Sequence, residues 1–348
     1  MTSLNIIERL QPHTVRMYNL KTTVLEEKTV PARMLLDSSR FDLFAKLFYI
    51  RNRDINKELA LKIYREHIKA FNPDLKEPGR NDKLGYEDFI TSFDRLIDDF
   101  KSKSFDSTKS LIPVTDNYVI LDGAHRVAAL SYFDKGVRIV CCHGVVPKVD
   151  FDYLYFKNRG LSWDTMDLIA NEMIRYLPNV YVACIWPKIV NKAIAVSLIK
   201  KHFNIVYEKS LRVTFASFRQ LITEVYKNQV WIQNQKSLTN KVLQCFGFNR
   251  QVTFIFFVAD NMCDVLSIKD AIRYKYGFGK HSVHITDNIA ESQVIAENIL
   301  VASKREKWNA KSITGTLFEK FSERWFYFKK VQFINFKIAV AKLLHIGR

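Results

Sequence analysis

Apolar positions recur along the chain with two periods, and together they outline its elements. Phe41, Phe44, Ala45 and Phe48 fall three and four apart, one face of a helix that Ser38 or Ser39 can cap. A second helix is predicted over residues 58–70 and ends where Phe71-Asn72-Pro73 forces the backbone out of helical geometry. A polar loop over 74–83 carries a Pro-Gly turn. Beyond it Phe89, Phe93, Leu96, Ile97 and Phe100 form the stripe of a third helix over 86–100. Residues 20–30 read either as an edge strand pair or as a segment packed on the domain. Ile112-Pro113-Val114 is a short strand, and the apolar run Tyr118-Val119-Ile120-Leu121 reads as a buried strand. Asp122-Gly123 supplies a turn, a helix continues to Phe133, and a strand covers 137–142. The aromatic segments 151–156 and 161–164 read as a connecting helix pair.

From about residue 165 the pattern changes. Helices are expected over 164–176, 193–202, 215–226 and 267–276, and strands over 180–187, 204–207, 252–258 and 282–286. Strands alternating with helices argue a mixed α/β (α+β) domain. The expected organisation is a first domain over 1–160, a second over 161–310, and a helical tail over 311–348. The tail sets eight Lys or Arg against Glu319 and Glu323 and interleaves them with aromatics such as Trp325 and Phe326. Such a helix packs on its own domain, lies on an anionic membrane surface or docks on a partner.

Composition narrows the class of partner more than the fold. Lys+Arg number 53 against 36 Asp+Glu, a net charge of +17, which favours an anionic partner. Nucleotide, nucleic acid, acidic polymer and anionic membrane all fit that charge. The five cysteines show no C-x-x-C spacing, which argues against a disulfide framework or zinc ribbon. Cys141, Cys142 and His143 follow a strand-like run, so adjacent side chains point to opposite faces. The first twenty residues lack a continuous apolar region and no run reaches spanning length, so a cytoplasmic setting is expected, with membrane contact only through the tail.

The sharpest chemistry lies at Asp122-Gly123-Ala124-His125-Arg126. The first amides of a helix have no internal acceptor and carry partial positive charge, so such an end attracts anions. Arg126 adds a planar fork matched to phosphate oxygens. The alternative is a plain strand-turn-helix with Arg126 in an ordinary ion pair. The Asp-Gly-x-His-Arg-x-x-Ala pattern resembles the ParB/sulfiredoxin superfamily, which includes nucleotide-hydrolysing partition proteins, sulfiredoxins and free-serine kinases. That resemblance implies a loop that cradles nucleotide phosphates through Gly123, Ala124, His125 and Arg126. Sulfiredoxins place a reactive Cys, and the kinases a second His, where this chain has Ala124. Sulfinic-acid repair by that route is therefore not expected, and the reaction does not follow from the fold.

Further candidates come from a similar ParB-like group found with bacterial surface-polysaccharide genes. Arg40, Asp42 and Lys46 match its Arg-Phe-Asp-Leu-x-x-Lys stretch; Asp42 and Lys46, four apart, also read as a solvated ion pair. Glu66 and His67 are candidate general bases, or a helix-end pair. Ser107 and Lys109 precede a strand and either face the nucleotide or sit in an ordinary loop. In the second domain Lys269 and Arg273 lie one turn apart, followed by Gly277, Gly279, Lys280 and His281. Ser282, His284 and Thr286 share one strand face, and Asp287 is the expected cap of a helix carrying Glu291. Lys269, Arg273, Lys280, His281, Ser282 and His284 thus form a candidate second anion pocket, although the Gly-x-x-x-x-Gly-Lys of a Walker loop is absent.

Together with the resemblance, these residues lead us to expect an ATP-dependent phosphotransferase. Its acceptor would be a small hydroxylated or sugar-linked anion, in polysaccharide or glycolipid biosynthesis. Asp122 would help hold Mg2+ or place the acceptor, and Glu66, His67, Asp42 or His125 would handle the proton. The alternatives are a ParB-like nucleic-acid-binding protein, and a non-catalytic nucleotide-binding scaffold at a membrane surface.

Overall fold

The structure is a computed structural model and describes residues 3–76 and 83–308, with Gln332. The tail expected over 311–348, and part of the loop over 74–83, lie outside the described residues. The chain divides into two units, Met1–Leu177 and Pro178–Arg348.

The first unit opens with helices α1 (Ser3–Glu8) and α2 (Pro12–Met17) and strand β1 (Leu25–Pro31). Helices α3 (Phe41–Asn52), α4 (Lys57–Phe71) and α5 (Tyr86–Ser102) follow, then β2 (Ile112–Val114), α6 (Ala124–Tyr132) and β3 (Gly136–Cys142). It closes with α7 (Tyr153–Asn158) and α8 (Trp163–Tyr176). The sheet order is β1-β3-β2; β3 pairs antiparallel with β1 and parallel with β2. Strand β2, helix α6 and strand β3 therefore form a β-α-β crossover, and the loop over 122–126 is its entry.

Several expectations shift here. Residues 20–30 contribute one edge strand, not a pair. Residues 118–121 are not a buried strand. Tyr118 sits at φ 61, and the chain returns over β2 through a single bridge between Val114 and Ile120. Only Ile120 of that run is buried. Helix α3 is capped by neither serine. Asp37 accepts from the Ser39 N–H at 2.8 Å, and Arg40 occupies the N-cap position without a side-chain cap. The unit reaches Leu177 rather than ending near 160, because α8 buries Met166, Ile169, Ala170 and Met173 and anchors to α3 through Arg51–Glu172 at 2.7 Å. Helix α4 fits its pattern closely: Asn56 caps it by accepting from the Leu59 N–H at 3.1 Å, and Ala60, Ile63, Tyr64 and Ile68 are buried.

The second unit contains β4 (Val180–Ile185), α9 (Ala193–His202), β5 (Asn204–Arg212), α10 (Phe215–Val225), α11 (Gln235–Cys245), β6 (Gln251–Val258), α12 (Met262–Tyr276), β7 (Val283–Ile285), α13 (Ile289–Leu300) and α14 (Ala302–Arg305). Its sheet order is β5-β6-β4-β7 with every pairing antiparallel. Strand β6 lies between β4 and β5, and β4 lies between β6 and β7. These are two interleaved split β-α-β units, the ferredoxin-like topology. One sheet face, with Ala183, Ile185, Ile255 and Phe257, packs against Ala195 and Ile199 of α9 and Val265, Ile268 and Ile272 of α12. The described residues thus form a mixed helix-and-sheet protein with two sheets. No helix among the described residues is long and apolar enough to cross a membrane.

Candidate functional site

A cavity of about 440 Å³ opens in the first unit beside the start of α6. Its polar wall holds Asp122, Gly123, His125 and Arg126 from the loop, Lys46 from α3, and Lys83 from the segment before α5. Its apolar wall includes Phe71, Phe89, Phe93 and Phe151. Gly123 is the N-cap of α6 at φ 86, the left-handed region that glycine enters without strain. A Cβ there would come within 2.5 Å of Ile112 Cδ1 and 2.9 Å of an Arg126 guanidinium nitrogen. Glycine therefore lets the Arg126 fork fold back across the helix tip. Arg126 lies 3.5 Å from the Asp122 carboxylate, and both side chains keep partial exposure, at 18% and 31%. The tip is not sealed in the core.

The Arg40–Asp42–Lys46 group is buried, not solvated. The Asp42 side chain is fully buried; it accepts from Arg40 Nε at 2.8 Å and Nη2 at 3.0 Å, and from Lys46 Nζ at 3.0 Å. Burial pushes its carboxyl upward, yet the Arg40 and Lys46 charges prevail and hold it well below the usual carboxylate range. Asp42 is accordingly no general base. Arg40 also donates to the Ile120 carbonyl at 2.5 Å, two residues before Asp122, and so ties the start of α3 to the loop before α6. Lys46 is set on the cavity wall by Asp42 and lies 5.6 Å from the Phe71 ring centre.

Neither expected base on α4 reaches the cavity. Glu66 points to the start of α8, where it accepts from Ser162 Oγ at 2.8 Å and from Thr165 Oγ1. His67 is fully buried among Tyr64, Phe71 and Phe156, and neither ring nitrogen has a hydrogen-bond partner among the described residues. Burial first and the nearby Lys46 second hold His67 well below the usual imidazole range, so it is neutral. His125 does line the cavity. Its Nε2 is hydrogen-bonded to the Tyr64 hydroxyl at 2.8 Å, and its ring meets Phe93 edge-on at 4.7 Å. Burial, followed by Lys46 and Lys83, keeps it neutral as well. Lys109 is exposed, pairs with Asp106 at 3.3 Å and does not line the cavity; Ser107 gives its carbonyl to Arg9. Lys83 and Phe93 line the cavity and Tyr64 holds His125 there, although the sequence places Lys83 in a loop, sets Phe93 on the apolar stripe of α5 and gives no signal for Tyr64.

The second-unit pocket is also rearranged. Lys269 is buried and donates to the Ile285 carbonyl and the Asp287 carboxylate, each at 2.8 Å. Ser282 donates to the Gly279 carbonyl at 2.7 Å, and His284 pairs with Glu291 at 2.8 Å. These three hold the fold together. Asn288, not Asp287, caps α13 by accepting from the Glu291 N–H at 2.9 Å. Arg273, Lys280 and His281 remain together near the loop before β7.

A metal ion is implied only by the phosphotransfer expectation. Among the described residues no group of three His, Cys, Asp or Glu side chains could hold a metal ion. Asp122 is a cavity carboxylate outside the buried triad and can supply one oxygen, which suits Mg2+ carried largely by substrate phosphates. Set against protein-family models, characterised proteins and solved structures, the chain gives no significant match.

Proposed function

We propose that the first unit is a ParB/sulfiredoxin-like nucleotide-binding domain that transfers a phosphoryl group to a small hydroxylated or sugar-linked acceptor. The observation that carries this reading is the glycine-capped start of α6, with Arg126 folded across it and Lys46 and Lys83 on the same cavity wall. Three cationic side chains and the first-turn amides of α6 suit the charge of a polyphosphate. The phenylalanines opposite suit a nucleoside base.

The step itself is simple in its balance. The acceptor hydroxyl oxygen forms a bond to the terminal phosphorus, the bond from that phosphorus to the bridging oxygen breaks, and the nucleoside diphosphate leaves with the electron pair. The hydroxyl proton passes to an oxygen of the transferred phosphoryl group, and Asp122, the carboxylate nearest the helix tip, places the acceptor. Arg126, Lys46 and the first-turn amides offset the charge on the phosphoryl oxygens, which is most of what such a reaction asks of a protein. Bound Mg2+ would be held by Asp122 and the phosphates and would neutralise part of that charge. The cell-surface polysaccharide setting belongs to the same proposal.

A second reading, a non-catalytic nucleotide sensor, is favoured by one specific observation: Glu66, His67 and Asp42 are all unable to serve as bases in the cavity. Incubation with ATP, Mg2+ and a panel of sugar and polyol acceptors, followed by 31P NMR, separates the two. Release of diphosphate that is lost in Arg126→Ala supports the transferase. Nucleotide binding without turnover supports the sensor. Absence of nucleotide binding removes both.

A further inference from the structure

Five basic side chains of the second unit converge near the start of β7. Lys188 follows β4, Lys241 lies on α11, Arg273 on the last turn of α12, and Lys280 and His281 in the short turn before β7. Lys241 Nζ donates to the Lys280 carbonyl at 2.6 Å, which fixes α11 to that turn. Cys245, one turn further along α11, places its Sγ 3.8 Å from His281 Nδ1. Aromatic rings face the ammonium groups: Lys241 lies 5.1 Å from the Tyr226 ring centre and Lys188 lies 4.7 Å from that of Phe278.

The charges that act most strongly on His281 are all positive: Lys241, Lys280, Lys188 and Arg273. Burial first and these four cations second bring its pKa down to about 4. Asp270 approaches Arg273 from the exposed side at 3.5 Å, while the guanidinium Nε is buried without a hydrogen-bond partner among the described residues. Like charges held this close repel, and partial burial strengthens the repulsion. A multiply charged oxyanion seated among them reverses the sign of that interaction.

We propose that Lys188, Lys241, Arg273, Lys280 and His281 form a second anion site that binds a phosphoryl or diphosphoryl group. The site stands independently of the nucleotide reading of the first unit, since none of its residues belongs to that unit. The rings of Tyr226 and Phe278 give it flat apolar flanks, which suit a glycosyl phosphate as well as the free ion. Unlike the pocket expected from spacing, it includes Lys188 and Lys241; it excludes Lys269 and His284, which pair with the carboxylates of Asp287 and Glu291, and Ser282, an uncharged hydroxyl that donates to the Gly279 carbonyl.

The test is calorimetric titration of inorganic pyrophosphate, and in parallel a sugar 1-phosphate, into the full chain carrying Arg126→Ala. That background removes the guanidinium from the first-unit loop. Binding is expected to persist there and to weaken at least tenfold when Lys188→Gln and Lys280→Gln are added. Lys280 is exposed and Lys188 partly so, and unchanged melting of the variant checks that it folds. Tighter binding of the ester assigns a glycosyl ligand, and tighter binding of pyrophosphate assigns the free ion. A second readout is the His281 titration by NMR, which pyrophosphate is expected to move upward, because an added anion favours imidazolium. No binding in the Arg126→Ala background, or binding indifferent to the Lys188 and Lys280 changes, overturns the site.

Discussion

At the scale of single residues, Gly123 and Arg126 act as a pair. Removing the guanidinium in Arg126→Ala deletes charge-assisted hydrogen bonds of about 1.5–3 kcal/mol, so nucleotide affinity measured by calorimetry should fall about 10–100-fold. Gly123→Ala has a different expected outcome, because it meets Ile112 and Arg126 and must adopt a positive φ. It should lower stability by about 1–2 kcal/mol from backbone strain alone, read as a lower denaturant midpoint, and weaken nucleotide binding too. His67 is neutral when folded and takes a proton when unfolded near its ordinary value of about 6.5. Its folded pKa is depressed, so its contribution is complete above that value and is lost as pH falls below it. Thermal melts from pH 7.5 to 5 should show stability falling, and His67→Phe, which suits the aromatic surroundings, should make that fall shallower. An unchanged pH slope would contradict a neutral buried His67. The Asp-Gly-x-His-Arg loop was legible because glycine and arginine have narrow physical uses. The burial of Asp42 and Lys46 was not, because a four-residue spacing is the same for a solvated pair and a buried one.

At the scale of elements, helix α3 is buried along almost its whole length from Phe41 to Ile50, charges included. Asp42 holds two cations there, so Asp42→Asn leaves Arg40 and Lys46 without their carboxylate. Breaking such a buried group costs about 3–5 kcal/mol, and chemical denaturation should show it. Replacing only exposed Lys109 should leave the midpoint within about 0.5 kcal/mol, since its pair with Asp106 is solvated. Where apolar spacing dominated, element boundaries followed from it: α9 runs Ala193–His202, as its pattern indicated. Helix α11 was not legible, because its sequence QKSLTNKVLQC is mostly polar and its few buried apolar positions, Leu238, Val242, Leu243 and Cys245, fall mostly in its second half. The run 118–121 misled for the opposite reason. Four apolar residues suggested a strand, but positive φ at Tyr118 turns the chain within a tight return. Pairing partners lie beyond any local pattern, so strand-helix alternation could not reveal that β6 inserts between β4 and β5.

At the scale of the whole molecule, two units with their own cores carry separate basic sites, and the net charge of +17 is consistent with both binding anions. The cavity beside α6 is lined by first-unit residues alone, so the central claim concerns that unit: a glycine-capped helix tip that grips phosphoryl oxygens. A ligand that binds the folded state raises its melting point by mass action, by about 2.7 kcal/mol at a hundredfold excess over Kd. The most direct measurement is therefore the thermal shift of the full chain with ATP and Mg2+, run beside Arg126→Ala. A rise in the melting midpoint that disappears in the variant is the predicted result. No rise with any nucleotide, or a rise that Arg126→Ala leaves intact, would contradict the account.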